Sequence, residues 1–401
     1  MDLKLSKDQA DVLKKILLWY TDSKSKPYIT LGGYAGTGKT TLISLLRRVI
    51  YQKINKDLKV AFCSYTGRAV RVLKNILSKS GSLYPQDFIS TIHGLMYKPI
   101  EDSNGVIIGW QKKDFVNAGL IIIDEGSMVN ERIWGDLLSY GIPIIAVGDH
   151  GQLPPIRGKF NLMENPELKL ERIYRQARDN PIIKVSKIAR EKGEIPVKKF
   201  AEKVEKIDRM AFDAQDRIEE LIINYQPDTL VLCGYNITRN KINSFIRNDL
   251  GFDSPNPLPG DRVICLRNNH DKEIYNGMLG TIKNINISEK DWYEATIQMD
   301  DENNLYQGKI YASQFGAVEP INFTKNRIKA KDRDLFDYGY ALTVHKAQGS
   351  QAKKVILFEE RNKYMDNNEW KKWLYTGVTR AEEELYVVGY GEEEAGFTRS
   401  G

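Results

Sequence analysis

Residues 28–50 read YITLGGYAGTGKTTLISLLRRVI, and this stretch decides the fold. Tyr28 to Leu31 is short, apolar and β-prone, and Thr41 to Ile50 places its apolar residues at helical spacing. Between them lies Gly33-Tyr-Ala-Gly-Thr-Gly38-Lys39-Thr40, a complete GxxxxGK[ST] run. Strand, glycine-rich loop and helix in that order spell a phosphate-binding loop. Gly33, Gly36 and Gly38 let backbone N–H groups, that of Thr37 among them, curl around phosphate oxygens. The helix that opens at Thr41 adds a favourable dipole. Lys39 is expected to reach the β- and γ-phosphates of a nucleoside triphosphate, and the Thr40 hydroxyl to sit on Mg²⁺. The plainer alternative is a glycine-rich turn before a helix, but pattern and context both fit the phosphate loop.

Two further stretches read as strands of the same parallel sheet. AGLIIIDEGSMV (118–129) holds four consecutive apolar residues, Leu120 to Ile123, followed by Asp124 and Glu125. A run apolar on both faces is a buried strand, and carboxylates at its C-terminal end lie where open α/β sheets bind ligands. Asp124 is expected to hold Mg²⁺ through water, and Glu125 to activate the attacking water. Gly141 to Asp149 is again apolar and again ends in Gly-Asp; the loop beyond it carries Gln152, whose neutral amide could contact a γ-phosphate. Prolines at 154 and 155 fix that loop.

At 401 residues the chain exceeds one ordinary domain. Its 41% hydrophobic and 28% charged content is that of a soluble globular protein, and no apolar run is long enough to span a bilayer. The first twenty residues lack the features of a secretory leader. Cys63, Cys233 and Cys265 are widely spaced and form no metal-binding set, which suits reduced thiols in an intracellular protein. A net charge of +6 suits a nucleic-acid partner without identifying one. Residues 391–401 read as a polar tail.

With these residues assembled, the chain resembles the superfamily-1B DNA helicases, the Dda-like and RecD-type enzymes. The resemblance rests on nine segments in family order: LSKDQ (5–9), GYAGTGKTT (33–41), CSYTGRAVRVL (63–73), TIHGL (91–95), IIIDEGS (121–127), GDHGQLPP (148–155), ERIYRQ (171–176), YALTVHKAQGSQ (340–351) and LYTGVTRAEEEL (374–385). It implies that Gln9 reads the adenine edge of ATP, and that Arg175 and Arg380 reach the γ-phosphate from a second motor lobe. It implies that Ser64, Thr66, Thr91 and His93 contact the DNA backbone from the first lobe, and Thr343 and His345 from the second. Direction, 5′ to 3′, comes from the resemblance alone, as does DNA rather than RNA. Gly126 departs from the family, which more often has alanine there.

Strands alternating with helical stretches predict an α/β fold of two RecA-like lobes with parallel sheets. The first is expected over 1–175, the second over 176–254 and 336–401. An Asn104-Gly105 turn between β-prone pieces marks a hairpin within 95–119. Short strands rich in Gly and Asn over 255–335 suggest a small inserted β-barrel. The resemblance implies that the barrel is SH3-like and that the hairpin carries a strand-separating pin, with Tyr97, Ile107, Ile108 and Trp110 as candidates. Phe88 and Trp292 are further aromatics that could stack on bases. The expected cofactors are ATP and Mg²⁺. The expected partners are single-stranded DNA and single-strand/duplex junctions, with a single-strand-binding or replication protein as a further one; no membrane is involved, and the chain acts as a monomer. A translocase that strips proteins from DNA and an ATP-binding loader or accessory subunit are the alternatives.

Overall fold

The computed structural model describes residues 5–22, 24–101, 107–155, 160–172, 180–223, 225–269, 272, 274–287, 291–300, 305–318, 321 and 333–391. The chain forms two compact units, Met1–Asn180 and Pro181–Gly401.

In the first unit, helix α1 (Lys7–Thr21) opens on a reciprocal cap. The Ser6 hydroxyl accepts from the Gln9 N–H, and the Gln9 side chain accepts from the Ser6 N–H. Six strands follow: β1 (Tyr28–Gly33), β2 (Val60–Ser64), β3 (Phe88–Thr91), β6 (Leu120–Asp124), β7 (Ile144–Gly148) and β8 (Leu168–Leu170). They form one all-parallel sheet in the order β3-β2-β6-β7-β1-β8. Alternation along the strands builds two cores. Ile29, Leu31, Phe62, Ile122, Ile145 and Val147 face one way, toward α1, α2 (Lys39–Lys53) and α3 (Gly67–Lys79). Cys63, Ile121, Ile123, Ile144 and Ala146 face the other, toward the short α4 (Ile92–Met96) and α5 (Glu131–Leu138). Burial on both faces explains why these strands read as unbroken apolar runs.

The expected hairpin pairs β4 (Tyr97–Glu101) with β5 (Ile107–Lys112), Pro99 opposite Trp110. Its base is tied down by Tyr140, whose hydroxyl donates to the carbonyls of Met96 and Lys113. The Asn104-Gly105 turn lies outside the described residues.

The second unit repeats the plan. Its sheet runs β17 (Ala341–Thr343), β11 (Thr229–Cys233), β18 (Ala352–Phe358), β19 (Ala381–Gly389), β10 (Val204–Asp208), β9 (Lys198–Ala201). All neighbours are parallel except β9, which pairs antiparallel with β10 at the edge. Helices α6 (Pro181–Lys192) and α9 (Asn367–Val378) pack together, and α7 (Ala214–Ile223) packs beside α8 (Asn236–Asp249). Between α8 and β17 the chain builds an antiparallel sheet of β12 (Arg262–Cys265), β13 (Leu279–Ile287), β14 (Trp292–Met299), β15 (Leu305–Tyr311) and β16 (Phe336–Tyr338), in the order β15-β14-β13-β12-β16. Its edges meet: Asp334 donates to the Lys309 carbonyl at 2.8 Å and accepts from the Tyr311 N–H at 3.1 Å. Two buried arginines of α8 fasten this insertion, Arg247 to Asp261 at 2.8 Å and Arg239 to Asp337 at 3.0 Å.

Candidate active site

The first unit brings its candidate residues to one edge of the sheet, the C-terminal ends of β1, β2, β3, β6 and β7. Ser64 is in register with both Thr91 and Asp124, and Gly32 with Gly148, so the polar residues that end these strands form a rim. This is the edge at which parallel α/β sheets bind ligands.

The phosphate loop follows from its glycines. Gly36 and Gly38 both adopt φ of +78°, a left-handed conformation that favours glycine. A side-chain carbon at Gly33 would lie 2.6 Å from the Thr37 hydroxyl, so the loop closes only around a glycine there. Lys39 bends back over the loop and donates to the carbonyls of Gly33 at 2.7 Å and Tyr34 at 3.1 Å. The Thr37 hydroxyl donates to the Tyr34 carbonyl at 2.8 Å. Thr40 and Thr41 lie in the first turn of α2. Gln9 is buried, and its amide nitrogen donates to the Thr37 carbonyl at 3.1 Å. With its oxygen accepting from Ser6, the residue expected to read adenine also ties α1 to the phosphate loop.

Asp124 and Glu125 close the site at the end of β6. Asp124 accepts from the Glu125 N–H at 3.0 Å. Burial, reinforced by the Glu125 charge and opposed by Lys39, pushes the Asp124 carboxyl up to about 6. Glu125 has φ of +57°, the one non-glycine residue with positive φ among those described. A glutamate held there is strained by about 1–3 kcal/mol, and its left-handed backbone breaks the extended course of β6. After β7, Asp149 accepts from the Gly151 N–H at 2.9 Å and from the Gln152 amide at 3.4 Å. Two buried polar atoms here, the Gln152 Oε1 and the Ser127 hydroxyl, make no hydrogen bond among the described residues. A half-buried carboxylate, a lysine, a threonine hydroxyl and two orphaned oxygens are a donor set that fits a magnesium ion with its waters and a triphosphate.

Residues 19–158 match the AAA domain family and residues 338–388 the UvrD-like helicase C-terminal domain family. The ATP-dependent RecD2 DNA helicase of Deinococcus radiodurans is 26% identical over 419 residues, covering 96% of this chain and 49% of its own length. The chain thus spans about half of that relative. The ATP-dependent DNA helicase dda of Enterobacteria phage T4 is 28% identical over 138 residues, 33% of this chain and 29% of its own. A Bacteroides Pif1 helicase solved with ADP-AlF3 and single-stranded DNA shares the fold, with a TM-score of 0.53 at 20% identity, over 96% of this chain and 92% of that one. The chain is thus similar in sequence to ATP-dependent DNA helicases and shares the Pif1 fold.

The strand-contact candidates take unequal positions. Ser64 is fully buried, and its hydroxyl donates to the Asp124 carbonyl at 3.2 Å. Thr66 caps α3 by accepting from the Ala69 N–H, and Thr91 caps α4 by accepting from the Gly94 N–H at 3.0 Å. Their hydroxyls therefore shape the helix starts that face the rim. His93 lies half-buried between the rings of Tyr65 and Tyr97. In the second unit Thr343 ends β17, and burial holds the half-buried His345 imidazole below its ordinary range. Arg380 is 3% exposed; its guanidinium donates to the carbonyls of Thr376 at 3.0 Å and Ser350 at 3.1 Å. Arg175 lies outside the described residues.

The pin candidates separate as well. Tyr97 is half-buried and its hydroxyl donates to Asp136 of α5; burial and that carboxylate push the phenol up to about 12. It anchors the hairpin. Trp110 is 41% exposed on the opposite strand. The side chains of Ile107 and Ile108 lie outside the described residues. Phe88 packs against the core, and Trp292 lies under Lys309, 4.6 Å from its ammonium. Sequence reading missed Asp149, Ser127 and Glu167; the last receives the Thr30 N–H and hydroxyl at 3.3 Å and so fixes β1 beside β8. Only Asp149 had a signal, its place at the end of an apolar strand.

Proposed function

We propose that this protein is an ATP-dependent DNA helicase that moves 5′ to 3′ along single-stranded DNA and opens duplexes at junctions. The observation that carries the reading is the constellation of Lys39, Asp124 and the left-handed Glu125 at one sheet edge, beside a loop in which Gly36 and Gly38 take the left-handed conformation. Lys39 would leave its loop carbonyls for the β- and γ-phosphates. Thr40 and Asp124 would hold Mg²⁺, which when bound neutralises charge on those phosphates. Glu125 would accept a proton from the water that attacks the γ-phosphate, and Gln152 would orient the same group. Arg380 and Arg175 would supply fixed positive charge to it from outside the loop.

The strand would be held through phosphates and sugars by Thr66, Thr91, His93, Thr343 and His345, contacts that carry no sequence information. Ser64 would support them from below. The closed antiparallel sheet over 262–338 would be the SH3-like insertion, and Trp110 the described residue best placed to part the strands.

The test is ATP-driven unwinding of duplexes with a 5′ or a 3′ single-stranded tail. Opening of the 5′-tailed duplex alone bears out the proposal. Opening of the 3′-tailed duplex keeps the motor and reverses the direction. Strong strand-stimulated hydrolysis with neither duplex opened makes the protein a translocase.

A further inference from the structure

The second unit has its own crevice at the C-terminal edge of its sheet, far along the chain from the phosphate loop. A cavity of about 590 Å³ opens over the ends of β10, β11, β18 and β19, between the start of α8 on one side and α6 with α9 on the other. Its size is that of a small-molecule site, and its place in the fold is where open sheets take ligands.

The cavity is built around Glu359. One carboxylate oxygen is paired with Lys206 at 2.7 Å, with side-chain exposures of 9% and 3%. The other, Oε1, is buried and accepts no hydrogen bond among the described residues. Gly389 makes room for this carboxylate, since a side-chain carbon there would lie 1.9 Å from Glu359 Oε2. A buried carboxylate oxygen left over in the wall of a cavity asks for a donor, which a ligand entering there would bring. The adjacent Glu360 is already used: it accepts from the N–H groups of Gly234 and Tyr235 and from the Thr238 hydroxyl, filling the N-terminus of α8.

The remaining lining gives the ligand's chemistry. Trp370, Tyr235 and Tyr390 offer aromatic surface, while Arg209 and Lys363 put cations at the rim. Arg209 is exposed and lies 5.9 Å from the Tyr390 ring centroid, and Lys363 is exposed beside Tyr364. An aromatic wall, a hydrogen-bond acceptor within and cations outside match a base with its phosphate. We infer that this cavity binds one nucleotide, its amino-bearing base inward with the exocyclic N–H donated to Glu359 and its phosphate on Arg209 and Lys363. The nucleotide is either free or one unit of a single strand, and the inference does not depend on the activity proposed above.

The test uses the full chain carrying Lys39→Ala, which silences the phosphate loop, and compares it with the same chain carrying also Arg209→Glu and Lys363→Glu. Both added changes are at exposed positions, and thermal melting checks that the fold is kept. Binding of dCMP and of a short oligodeoxycytidylate is measured by calorimetry. Loss of two charge-assisted phosphate contacts should weaken binding by about tenfold or more. Weakened dCMP binding marks a free-nucleotide site. Weakened oligonucleotide binding with no dCMP binding marks a site on the strand. Cytosine should be preferred over thymine, which lacks the amino group, and Glu359→Gln should narrow that preference. If neither probe changes affinity by more than about twofold in the charge-reversed chain, or if thymine and cytosine bind alike, the inference is wrong. Strand-stimulated ATP hydrolysis by the unaltered chain tests the proposed activity separately.

Discussion

Replacing Glu125 by glutamine isolates the chemical step from everything else that the residue does. The amide keeps the length and shape of the side chain, so the left-handed backbone at φ +57° and its strain of about 1–3 kcal/mol stay as they are. What is lost is the proposed proton acceptor. A positioned general base is worth about 10²–10⁴ in rate, or about 3–5 kcal/mol of transition-state stabilisation. Nucleotide binding should not fall in step. After burial, the Glu125 charge helps to hold the Asp124 carboxyl above its ordinary range. Removing that charge favours the ionised form of Asp124, leaving the carboxylate at least as able to take a cation. Strand-stimulated ATP hydrolysis should therefore drop by two orders of magnitude or more, while the affinity for a fluorescent ATP analogue with Mg²⁺ stays within about twofold. Retention of more than about a tenth of the turnover would refute the role given to Glu125. Parallel loss of binding and turnover would refute it differently, by showing that the residue builds the site.

Two stability predictions follow from buried charge. The side chains of Arg47 and Asp87 are fully buried, joined by two bonds of 2.9 and 2.8 Å, and Asp87 also accepts from the N–H groups of Val60 and Tyr84. Asp87→Ala leaves a buried guanidinium unpaired and should cost about 3–5 kcal/mol in denaturant unfolding; a loss below about 1 kcal/mol would show that water reaches Arg47. Lys346 is pushed from 10.5 down to about 8 by burial and then by the Arg239 charge, with Asp337 opposing. Because the folded value is the lower one, the unfolded chain binds more protons between about pH 8 and 10.5, and stability rises with pH through that window. Lys346→Met should stabilise the protein by about 1–3 kcal/mol at pH 7, and the gain should vanish once the lysine is neutral in both states. An equal gain at pH 7 and pH 11 would assign it to packing instead.

The phosphate loop was legible because its geometry is written in residue types: only glycines tolerate +78° at positions 36 and 38 without cost. Strands β6 and β7 were legible because burial on both faces forces an unbroken apolar run. The short edge strands were not. Leu168–Leu170 and Lys198–Ala201 bury too little to leave a pattern, and each exists because a longer strand offers its open edge. Long-range polar contacts were equally hidden. Gln9 meets Thr37 across 28 residues, and Thr30 meets Glu167 across 137. The left-handed Glu125 had no signal at all, since its residue type argues against it. Gly126, noticed in the sequence as a departure, gains a physical reason. A side-chain carbon there would lie 3.0 Å from Met163 Cε and 3.1 Å from the Val147 carbonyl, so the bulky Met163 occupies the room that an alanine would need.

The hydroxyls assigned to the strand bear on how hydrolysis could be felt by DNA. Ser64 ends β2 in register with Asp124, and its hydroxyl donates to the Asp124 carbonyl. Two residues on, Thr66 sets the first turn of α3, and across β2 Thr91 does the same for α4. The peptide joining the carboxylate that would hold Mg²⁺ to the strained Glu125 is therefore one hydrogen bond from the segment that would hold the backbone. A shift of that peptide when the γ-phosphate leaves must either break the Ser64 bond or carry the start of α3 with it, because Ser64 is fully buried and has no water to exchange for it. A contiguous, buried connection of this kind is the physical link through which the proposed hydrolysis would reach the proposed strand contacts.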